Sequence, residues 1–184
     1  HGAVEIASAF NFERAAAGER RHLTLVHKKN VLTFAGDLWQ RTFDEVAEQF
    51  PTVDTTYQHV DAACIHFVER PEIYDVVVTD NLFGDILTDL GGAVAGGVAY
   101  AASANLNPDR TGPSMFEPVH GTAPDIAGRN LANPLAAIIS AGLMAGFLGE
   151  TEAAATIANA VRDPQRYLGS TTEIGDAVVA AVSG

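Results

Sequence analysis

The sequence predicts an α/β protein with a mixed sheet flanked by helices, and not a Rossmann fold. Segments rich in β-branched residues alternate with segments of helical apolar spacing, which is typical of βαβ units. The 184 residues, 47% of them hydrophobic, suffice for one sizeable core or two smaller lobes. The chain has no GxGxxG and no GxxxxGK segment, so the phosphate-binding signatures of Rossmann and P-loop folds are absent.

The first half alternates regularly between predicted helices and strands. In chain order these are helix 4–17, strand 22–27, helix 37–50, strand 55–60, helix 62–69, strand 74–79 and a helix within 78–90. In the second helix Trp39, Phe43, Val46 and Phe50 share one face, and Pro51 stops it.

The second half begins with a change in composition. After Gly91 the chain is rich in Gly and Ala and then in loop-forming residues over 103–130, so we place a domain boundary in the mid-90s, between 1–95 and 96–184. The segment 134–149 is apolar on nearly all faces and predicts a helix buried in a central layer or a subunit interface.

Two capping signals mark the last helices. Asn133 and Pro134 suit the N-cap and first position of the buried helix. Two more helices are predicted after it, and Ser170 with Glu173 forms a capping box at the last one.

Charge and composition exclude several classes of partner. A net charge of −12 argues against nucleic acid and anionic membranes, which require clustered Lys and Arg. No apolar run reaches the length of a membrane span. The single cysteine, Cys64, allows no disulfide framework, and we expect a cytoplasmic protein.

Carboxylates recur at the predicted carboxyl edge of the sheet. Asp85 and Asp89 lie one helical turn apart and repel each other, unless a positive object lies between them. They border one predicted apolar stripe of Leu82, Phe83, Ile86, Leu87 and Leu90. Lys28 and Asp61 follow the first two strands, and strand ends deliver ligand-binding residues in open α/β sheets. Three carboxylates suit Mg²⁺ or Mn²⁺, and a lysine beside such an ion can serve as a base.

Structural alternatives exist for each of these residues. Asp61 taken alone is more often the N-cap of the helix that it begins, and Asp80 also suits a cap. Lys28, with Lys29 beside it, could be a solvated strand end.

The loop "FEPVHGTAPDIAG" (116–128) has the composition of a ligand-clamping segment. His120 could stack on a base, and Asp125 could accept hydrogen bonds from a sugar diol. The alternative is a surface turn with a satisfied histidine. Four other histidines are scattered without Cys neighbours and suggest no zinc site: His22, His27, His59 and His66.

Five segments in register give the chain a resemblance to a known family. They are "TLVHKKNVL", "QHVDAACIH", "TDNLFGDILTDL", "MFEPVHGTAPDIAG" and "ANPLAAI". The chain resembles the β-decarboxylating dehydrogenases, which oxidise isopropylmalate, isocitrate, homoisocitrate, tartrate or D-malate. The resemblance is closest to the branch that acts on 3-isopropylmalate in leucine biosynthesis, and it covers about the C-terminal half of such enzymes.

The resemblance implies roles for the residues at the sheet edge. Lys28, with Asn30, matches the catalytic lysine motif. Asp61 matches a metal ligand that, with the lysine, reaches into the neighbouring subunit's site, whereas Asp85 and Asp89 match the metal ligands of the subunit's own site. A homodimer with shared active sites is therefore implied, with Mg²⁺ or Mn²⁺ as the metal.

The resemblance also implies an NAD site. The matching cofactor-loop and adenine-side residues are Glu117, His120, Gly121, Ala123, Asp125 and Asn133. A carboxylate at Asp125 would accept from both ribose hydroxyls and repel a 2′-phosphate, so it favours NAD over NADP.

The resemblance also implies the domain of the family to which each half of the chain belongs. Residues 1–95 would belong to the smaller, dimer-forming domain and 96–184 to the larger, NAD-binding domain. The family's substrate arginines, catalytic tyrosine and side-chain-selecting helix would all lie upstream of His1, so we expect this chain alone to be inactive. His27 stands where many relatives have an acid, and Thr122 replaces a common Ser.

Two alternatives to the isopropylmalate reading remain. One is a tartrate or D-malate dehydrogenase of the same family. The other is a non-catalytic regulatory or assembly subunit of the same fold. Such a subunit would be expected to lose the acids or the lysine, yet Lys28, Asp61, Asp85 and Asp89 are all present.

Overall fold

The computed structural model describes residues 2–183 and confirms the predicted α/β class. The chain divides into two compact units, His1–Val94 and Ala95–Gly184. The assignment of these units to a dimer-forming and an NAD-binding domain stays a prediction.

The first unit is a three-stranded parallel sheet with helices on both faces. Its elements are α1 (Gly2–Ala17), β1 (His22–His27), α2 (Thr33–Ala47), β2 (Asp54–His59), α3 (Val60–Glu69), β3 (Val76–Val78) and α4 (Asn81–Val94). The strand order is β2-β1-β3, with His27 opposite His59 and Leu25 opposite Val78. All three strands therefore end at one edge of the sheet, as the alternation of elements predicts.

The central strand β1 is buried on both faces, which explains its nearly continuous apolar sequence. One face packs against α1 and α2 in a cluster formed by Phe12, Ala15, Leu23, Leu25, Phe43, Val46, Val53 and Val78. On the other face Val26 packs with Ala63 of α3 and Leu87 of α4. Both helix layers thus hold β1, and with it the residue that follows it, in place.

Helix α4 departs from the predicted single buried stripe. Leu87 is buried, but Leu82 and Ile86 are 62% and 51% exposed. The prediction of one buried stripe is wrong for these two residues, because α4 packs against α3 on one side and its apolar surface is wider than that contact.

The two cap predictions for the first unit have different outcomes. Asp80 does cap α4, since its Oδ1 accepts a hydrogen bond from the Phe83 backbone N–H at 2.9 Å. The cap interpretation of Asp61 is wrong, because α3 begins at Val60 and His59 occupies the N-cap. Asp61 instead lies in the first helical turn.

The second unit is a β-hairpin packed on helices. Its elements are β4 (Ala102–Asn105), β5 (Met115–Pro118), α5 (Leu135–Leu148), α6 (Thr151–Ala160) and α7 (Thr171–Ser183). The antiparallel hairpin was not predicted within the loop-rich segment 103–130, because its strands "ASAN" and "MFEP" contain no β-branched residue.

Helix α5 packs against both strands of the hairpin and against α6. Its first residue, Leu135, is fully buried, whereas Leu148 at its end is 62% exposed. The prediction of Asn133 as N-cap is off by one residue, because the helix begins at Leu135 and Pro134 occupies the N-cap. Asn133 still serves the start of the helix, since its Oδ1 accepts a hydrogen bond from the Leu135 backbone N–H at 2.9 Å.

The capping box at α7 is confirmed. The Ser170 backbone N–H donates to Glu173 Oε2 at 2.8 Å, and the Glu173 N–H donates to Ser170 Oγ at 3.3 Å. The Ser170 N–H and hydroxyl each donate to Glu173 Oε2 at 2.8 Å, and these two bonds hold the pKa of the Glu173 carboxyl below its usual range. Across residues 2–183, no helix is both long enough and apolar enough to cross a membrane.

Candidate functional site

The carboxyl edge of the parallel sheet brings Lys28 and Asp61 together. Lys28 directly follows β1, and Asp61 lies two residues after the end of β2, the neighbouring strand. Lys28 Nζ donates to Asp61 Oδ1 at 2.6 Å. The Lys28 side chain is mostly buried, at 22% exposure, whereas that of Asp61 is 68% exposed. The hydrogen bond from Lys28 is the main reason why the pKa of Asp61 lies below its usual range.

The backbone around Lys28 is fixed by a tight turn and by a glycine. The N–H groups of Val31 and Leu32 donate to the Lys28 carbonyl at 3.0 and 2.8 Å. Gly36 of α2 lies so close that a Cβ there would be 2.5 Å from the Lys29 Cα. Only glycine permits this approach, so α2 lies directly against the turn of residues 28–32, which we call the lysine loop. Asn30 is exposed in this turn.

The neighbouring Lys29 makes contacts that serve the structure and not the candidate site. Its Nζ donates to Gln40 Oε1 at 3.1 Å and lies 4.4 Å from the centre of the Tyr57 ring. The Tyr57 hydroxyl also accepts from the Lys29 backbone N–H at 3.1 Å. Lys29 is therefore tied to β2 and α2, and Lys28 is the lysine that faces a carboxylate.

Helix α4 carries the like-charge pair, and both members are exposed. Asp85 Oδ2 accepts a hydrogen bond from Asn81 Nδ2 at 3.2 Å. No Lys, Arg or His among residues 2–183 forms an ion pair with Asp85 or Asp89. The repulsion between them is therefore uncompensated within the described chain. Hard carboxylate oxygens at this spacing fit Mg²⁺ or Mn²⁺, which bind one or two carboxylates together with water and substrate oxygens.

The three predicted metal ligands do not meet within one chain. Among residues 2–183, no group of three or more His, Cys, Asp or Glu side chains is placed to hold a metal ion. The three-carboxylate metal site therefore stays a prediction, with Asp61 contributed by a neighbouring subunit as the family resemblance implies. The residues form instead a lysine half-site (Lys28, Asn30 and Asp61) and an acid half-site (Asp85 and Asp89).

The predicted cofactor loop follows β5 in the second unit. Glu117 lies on β5, paired with Ser103 of β4, and is exposed. His120 Nδ1 lies 3.0 Å from the carbonyl oxygen of Gly121. Ala123 has a left-handed backbone, with φ of 44°, just before the turn that carries Asp125. The loop is thus an irregular, exposed segment rather than part of a sheet.

Asp125 presents a carboxylate without a partner. It is exposed, and no side chain or backbone N–H within residues 2–183 donates to its carboxylate oxygens. The Arg129 guanidinium, 3.5 Å away, approaches its backbone carbonyl instead. Such a carboxylate is free to accept hydrogen bonds from a diol.

An open cavity of about 400 Å³ adjoins this loop, and its lining includes Ala123, Ile126 and Thr171. Glu117, His120 and Asp125 are not part of the lining. Asn133 is not part of the lining either, and its amide oxygen accepts a hydrogen bond from the Leu135 N–H at the start of α5. The structure therefore does not gather all six predicted cofactor residues at one cavity, and their roles stay predictions.

Asn130 is a positioning residue that sequence reasoning missed. Its backbone is left-handed, with φ of 57°, and its Oδ1 accepts from both the N–H and the hydroxyl of Thr172 at 3.0 Å. These bonds tie the loop to the start of α7. The only sequence signal was an Asn after Gly128 and Arg129, a composition that favours left-handed turns.

Comparison with known proteins identifies the family of the chain. Residues 2–180 match the family model described as isocitrate/isopropylmalate dehydrogenase. The chain is 58% identical over 182 residues to a 3-isopropylmalate dehydrogenase of Nocardia farcinica, covering 97% of this chain and 54% of that protein. It is 56% identical over 175 residues to a 3-isopropylmalate dehydrogenase of Mycobacterium tuberculosis, covering 93% of this chain and 52% of that protein.

Among solved structures, an isocitrate dehydrogenase from Methylococcus capsulatus superimposes with a TM-score of 0.90 at 35% identity, covering 98% of this chain and 56% of that one. The chain therefore spans about half the length of the curated relatives that it matches. The family match extends over nearly the whole chain and includes both half-sites and the loop after β5. The chain belongs to the isocitrate/isopropylmalate dehydrogenase family.

Proposed function

We propose that the complete protein containing this chain is an NAD-dependent and divalent-metal-dependent enzyme of the cytoplasm. It would oxidatively decarboxylate 3-isopropylmalate to 4-methyl-2-oxopentanoate in leucine biosynthesis. The observation that carries this proposal is that one chain presents both a Lys28–Asp61 ion pair at the sheet edge and, on α4, a separate Asp85–Asp89 pair without a compensating cation. The relatives named 3-isopropylmalate dehydrogenase support the choice of substrate.

Asp85 and Asp89 would hold Mg²⁺ or Mn²⁺, together with Asp61 of a second subunit. When bound, the ion supplies Lewis-acid chemistry that polarises the substrate hydroxyl and neutralises the charge that develops as CO₂ leaves. Lys28 Nζ of the second subunit would accept the proton of the substrate hydroxyl as the hydride passes to NAD. Asp61, 2.6 Å away, keeps Lys28 Nζ oriented at the sheet edge.

Asp125 would select the coenzyme. Its unpartnered carboxylate can accept hydrogen bonds from both hydroxyls of an adenine-side ribose, whereas a 2′-phosphate would be repelled. NAD, which accepts the hydride from the substrate, fits this residue better than NADP. The left-handed Ala123 and the tether at Asn130 shape the loop that carries it.

An exposed apolar face supports the proposal of a homodimer. Ile65 and Val68 of α3 are 55% and 60% exposed, and Leu82 and Ile86 of α4 are 62% and 51% exposed. Clustered apolar exposure of this kind marks interaction surfaces. Asp61 lies one helical turn before Ile65, so an interface on this face would place Asp61 at a partner subunit.

The loop after Lys28 points to the same conclusion. Val31 is 65% exposed and Phe34 is 93% exposed, immediately beyond the lysine half-site. In a two-fold dimer the same surface pairs with itself, so the lysine half-site of one subunit can complete the acid half-site of the other. Two active sites would then form per dimer.

The experiment that tests the proposed function is NADH formation by the complete protein with Mg²⁺ or Mn²⁺. The substrates to compare are 3-isopropylmalate, D-malate, tartrate and isocitrate. A clear preference for 3-isopropylmalate supports the proposal. A preference for D-malate or tartrate overturns the substrate and keeps the residue roles. No turnover of any of the four would favour a non-catalytic subunit of the same fold.

A further inference from the structure

His27 is a buried polar residue that the proposed function does not use. It is the last residue of β1, it is fully buried, and it directly precedes Lys28. Its ring lies 6.2 Å from the Trp39 ring of α2 and 5.5 Å from the Phe83 ring of α4, centre to centre. Alternation along β1 places it on the same face as Leu23 and Leu25, which was the sequence signal for its burial.

Asp80 is the charged group that His27 meets. His27 Nε2 lies 2.9 Å from Asp80 Oδ2, an ion-pair distance without the direction of a good hydrogen bond. The other carboxylate oxygen, Oδ1, caps α4 through the Phe83 N–H at 2.9 Å. One carboxylate thus contacts the residue before Lys28 and also fixes the first turn of the helix that carries Asp85 and Asp89.

Helix α2 closes the remaining side of the imidazole. A Cβ on Gly36 would lie 3.2 Å from His27 Nδ1, and Nδ1 has no hydrogen-bond partner within residues 2–183. The ring is therefore enclosed by β1, α2 and α4. It cannot shift without moving the lysine loop or the start of α4, because protein interiors of this kind are close-packed.

We infer that His27 and Asp80 form a positioning pair that couples the lysine half-site to the acid half-site within one subunit. The inference rests on the proposed function, from which it takes the roles of the two half-sites. Neither residue touches the substrate or the metal. The pair sets where Lys28 emerges from β1 relative to the helix that carries the metal-binding carboxylates, so disturbing it should affect both half-sites at once.

The test uses Asp80→Ser, His27→Asn and the double variant in the complete protein. Serine keeps an N-cap oxygen for α4 and removes the oxygen that faces His27. Two quantities are measured: Mn²⁺ binding to the protein alone, followed by the paramagnetic resonance of free Mn²⁺, and kcat apart from KM for NADH formation.

Each single variant is expected to weaken Mn²⁺ binding and to lower kcat by about tenfold, as is usual for partners that orient metal ligands. The double variant is expected to be no worse than the worse single variant, because both remove one contact. His22→Asn is the matched control. His22 begins the same strand and meets Thr56 Oγ1 at 2.9 Å, far from Lys28, and its loss should leave both quantities near wild type.

Mn²⁺ binding and kcat within twofold of wild type in Asp80→Ser would overturn the positioning pair, as would strictly additive losses in the double variant. The Asp80 side chain is 23% exposed, so Asp80→Ser carries the test even if His27→Asn does not fold. A wild-type protein without NADH formation overturns the proposed function, and Mn²⁺ binding then still tests the pair.

Discussion

The lysine half-site of the first unit differs from the cofactor loop of the second in how its residues are held. Lys28 is fixed by a carboxylate, by a turn and by the close approach of Gly36. Asp125, in contrast, stands exposed on an irregular loop without a hydrogen bond to its carboxylate. Lys28, at a strand end, is thus held by several elements, whereas Asp125 stands alone on its loop.

The difference has a practical consequence for substitutions. A residue held by several elements is expected to affect more than one property when it is changed. A lone loop carboxylate is expected to alter specificity and little else.

Asp85→Asn should weaken Mn²⁺ binding by at least about a hundredfold. The change removes a proposed metal ligand itself, and not merely a residue that orients a ligand. Stability should stay unchanged or rise slightly, by about 0.2–0.5 kcal/mol, because the repulsion from Asp89 is relieved. Mn²⁺ titration and thermal unfolding of the complete protein measure the two effects.

The matched control for this change is Asp44→Asn. Asp44 on α2 accepts from Gln40 at 2.9 Å with the same four-residue spacing that joins Asp85 to Asn81. Undiminished Mn²⁺-dependent turnover in Asp85→Asn would show that the acid half-site is wrongly assigned.

Asp125→Lys should reverse the coenzyme preference of the loop without disturbing the first unit. Loss of charge-assisted hydrogen bonds to a ribose diol corresponds to about a tenfold to hundredfold change in the ratio of kcat/KM for NAD and NADP. Asp109→Lys, at another exposed acid of the same unit, is the control. An unchanged ratio in Asp125→Lys would remove the ribose role.

Gly36→Ala tests the tight contact between α2 and the lysine loop. Gly175→Ala, at an open position of α7, is its control. A Cβ on Gly36 would clash with the Lys29 Cα at 2.5 Å, so we expect a loss of about 1–3 kcal/mol. A Cβ on Gly175 of α7 meets nothing within 4 Å, so alanine should stabilise by about 0.5–1 kcal/mol. Denaturant unfolding gives both values, and equal effects at the two sites would contradict the tight contact at Gly36.

Glu173→Gln should produce the smallest effect, one that depends on pH. The pKa of Glu173 is lowered by its bonds to Ser170, so the stabilisation is present above the unfolded value of 4.5 and is lost as pH falls through the folded value. The variant should melt slightly below wild type at neutral pH and equal it in acid. Glu152→Gln, in the first turn of α6, is the control. A Tm difference that persists in acid would show that the ionised Glu173 carboxylate is not the source of the stabilisation.

Local patterns predicted much of the first unit. Strand β1 begins and ends where the sequence predicts it, because its apolar and β-branched residues are bounded by charged ones. The caps at Asp80 and Ser170 were also predictable, since capping requires only residues a few positions apart.

Contacts between distant segments were not predictable in this way. The pairing of Lys28 with Asp61 depends on the register of β1 and β2. The approach of Asp80 to His27 joins residues that are far apart in sequence. The separation of the half-sites depends on how α3 and α4 pack against the sheet and against each other, which no local pattern determines.

The measurement that tests the shared half-sites most directly is complementation between inactive subunits. Lys28→Met should abolish the lysine half-site, and Asp85→Asn the acid half-site. A hybrid dimer of the two variants would retain one intact active site, formed by the acids of one subunit and Lys28 of the other. Random pairing of equal amounts should restore about a quarter of wild-type NADH formation.

Mixing Lys28→Met with the double variant Lys28→Met/Asp85→Asn is the control, because no such hybrid contains Lys28. Recovery in the first mixture alone is the result expected from half-sites that different subunits contribute. Activity no greater than that of the separate variants, in mixtures shown to contain hybrid dimers, would contradict the shared site and place Lys28 and Asp85 in the same subunit's chemistry.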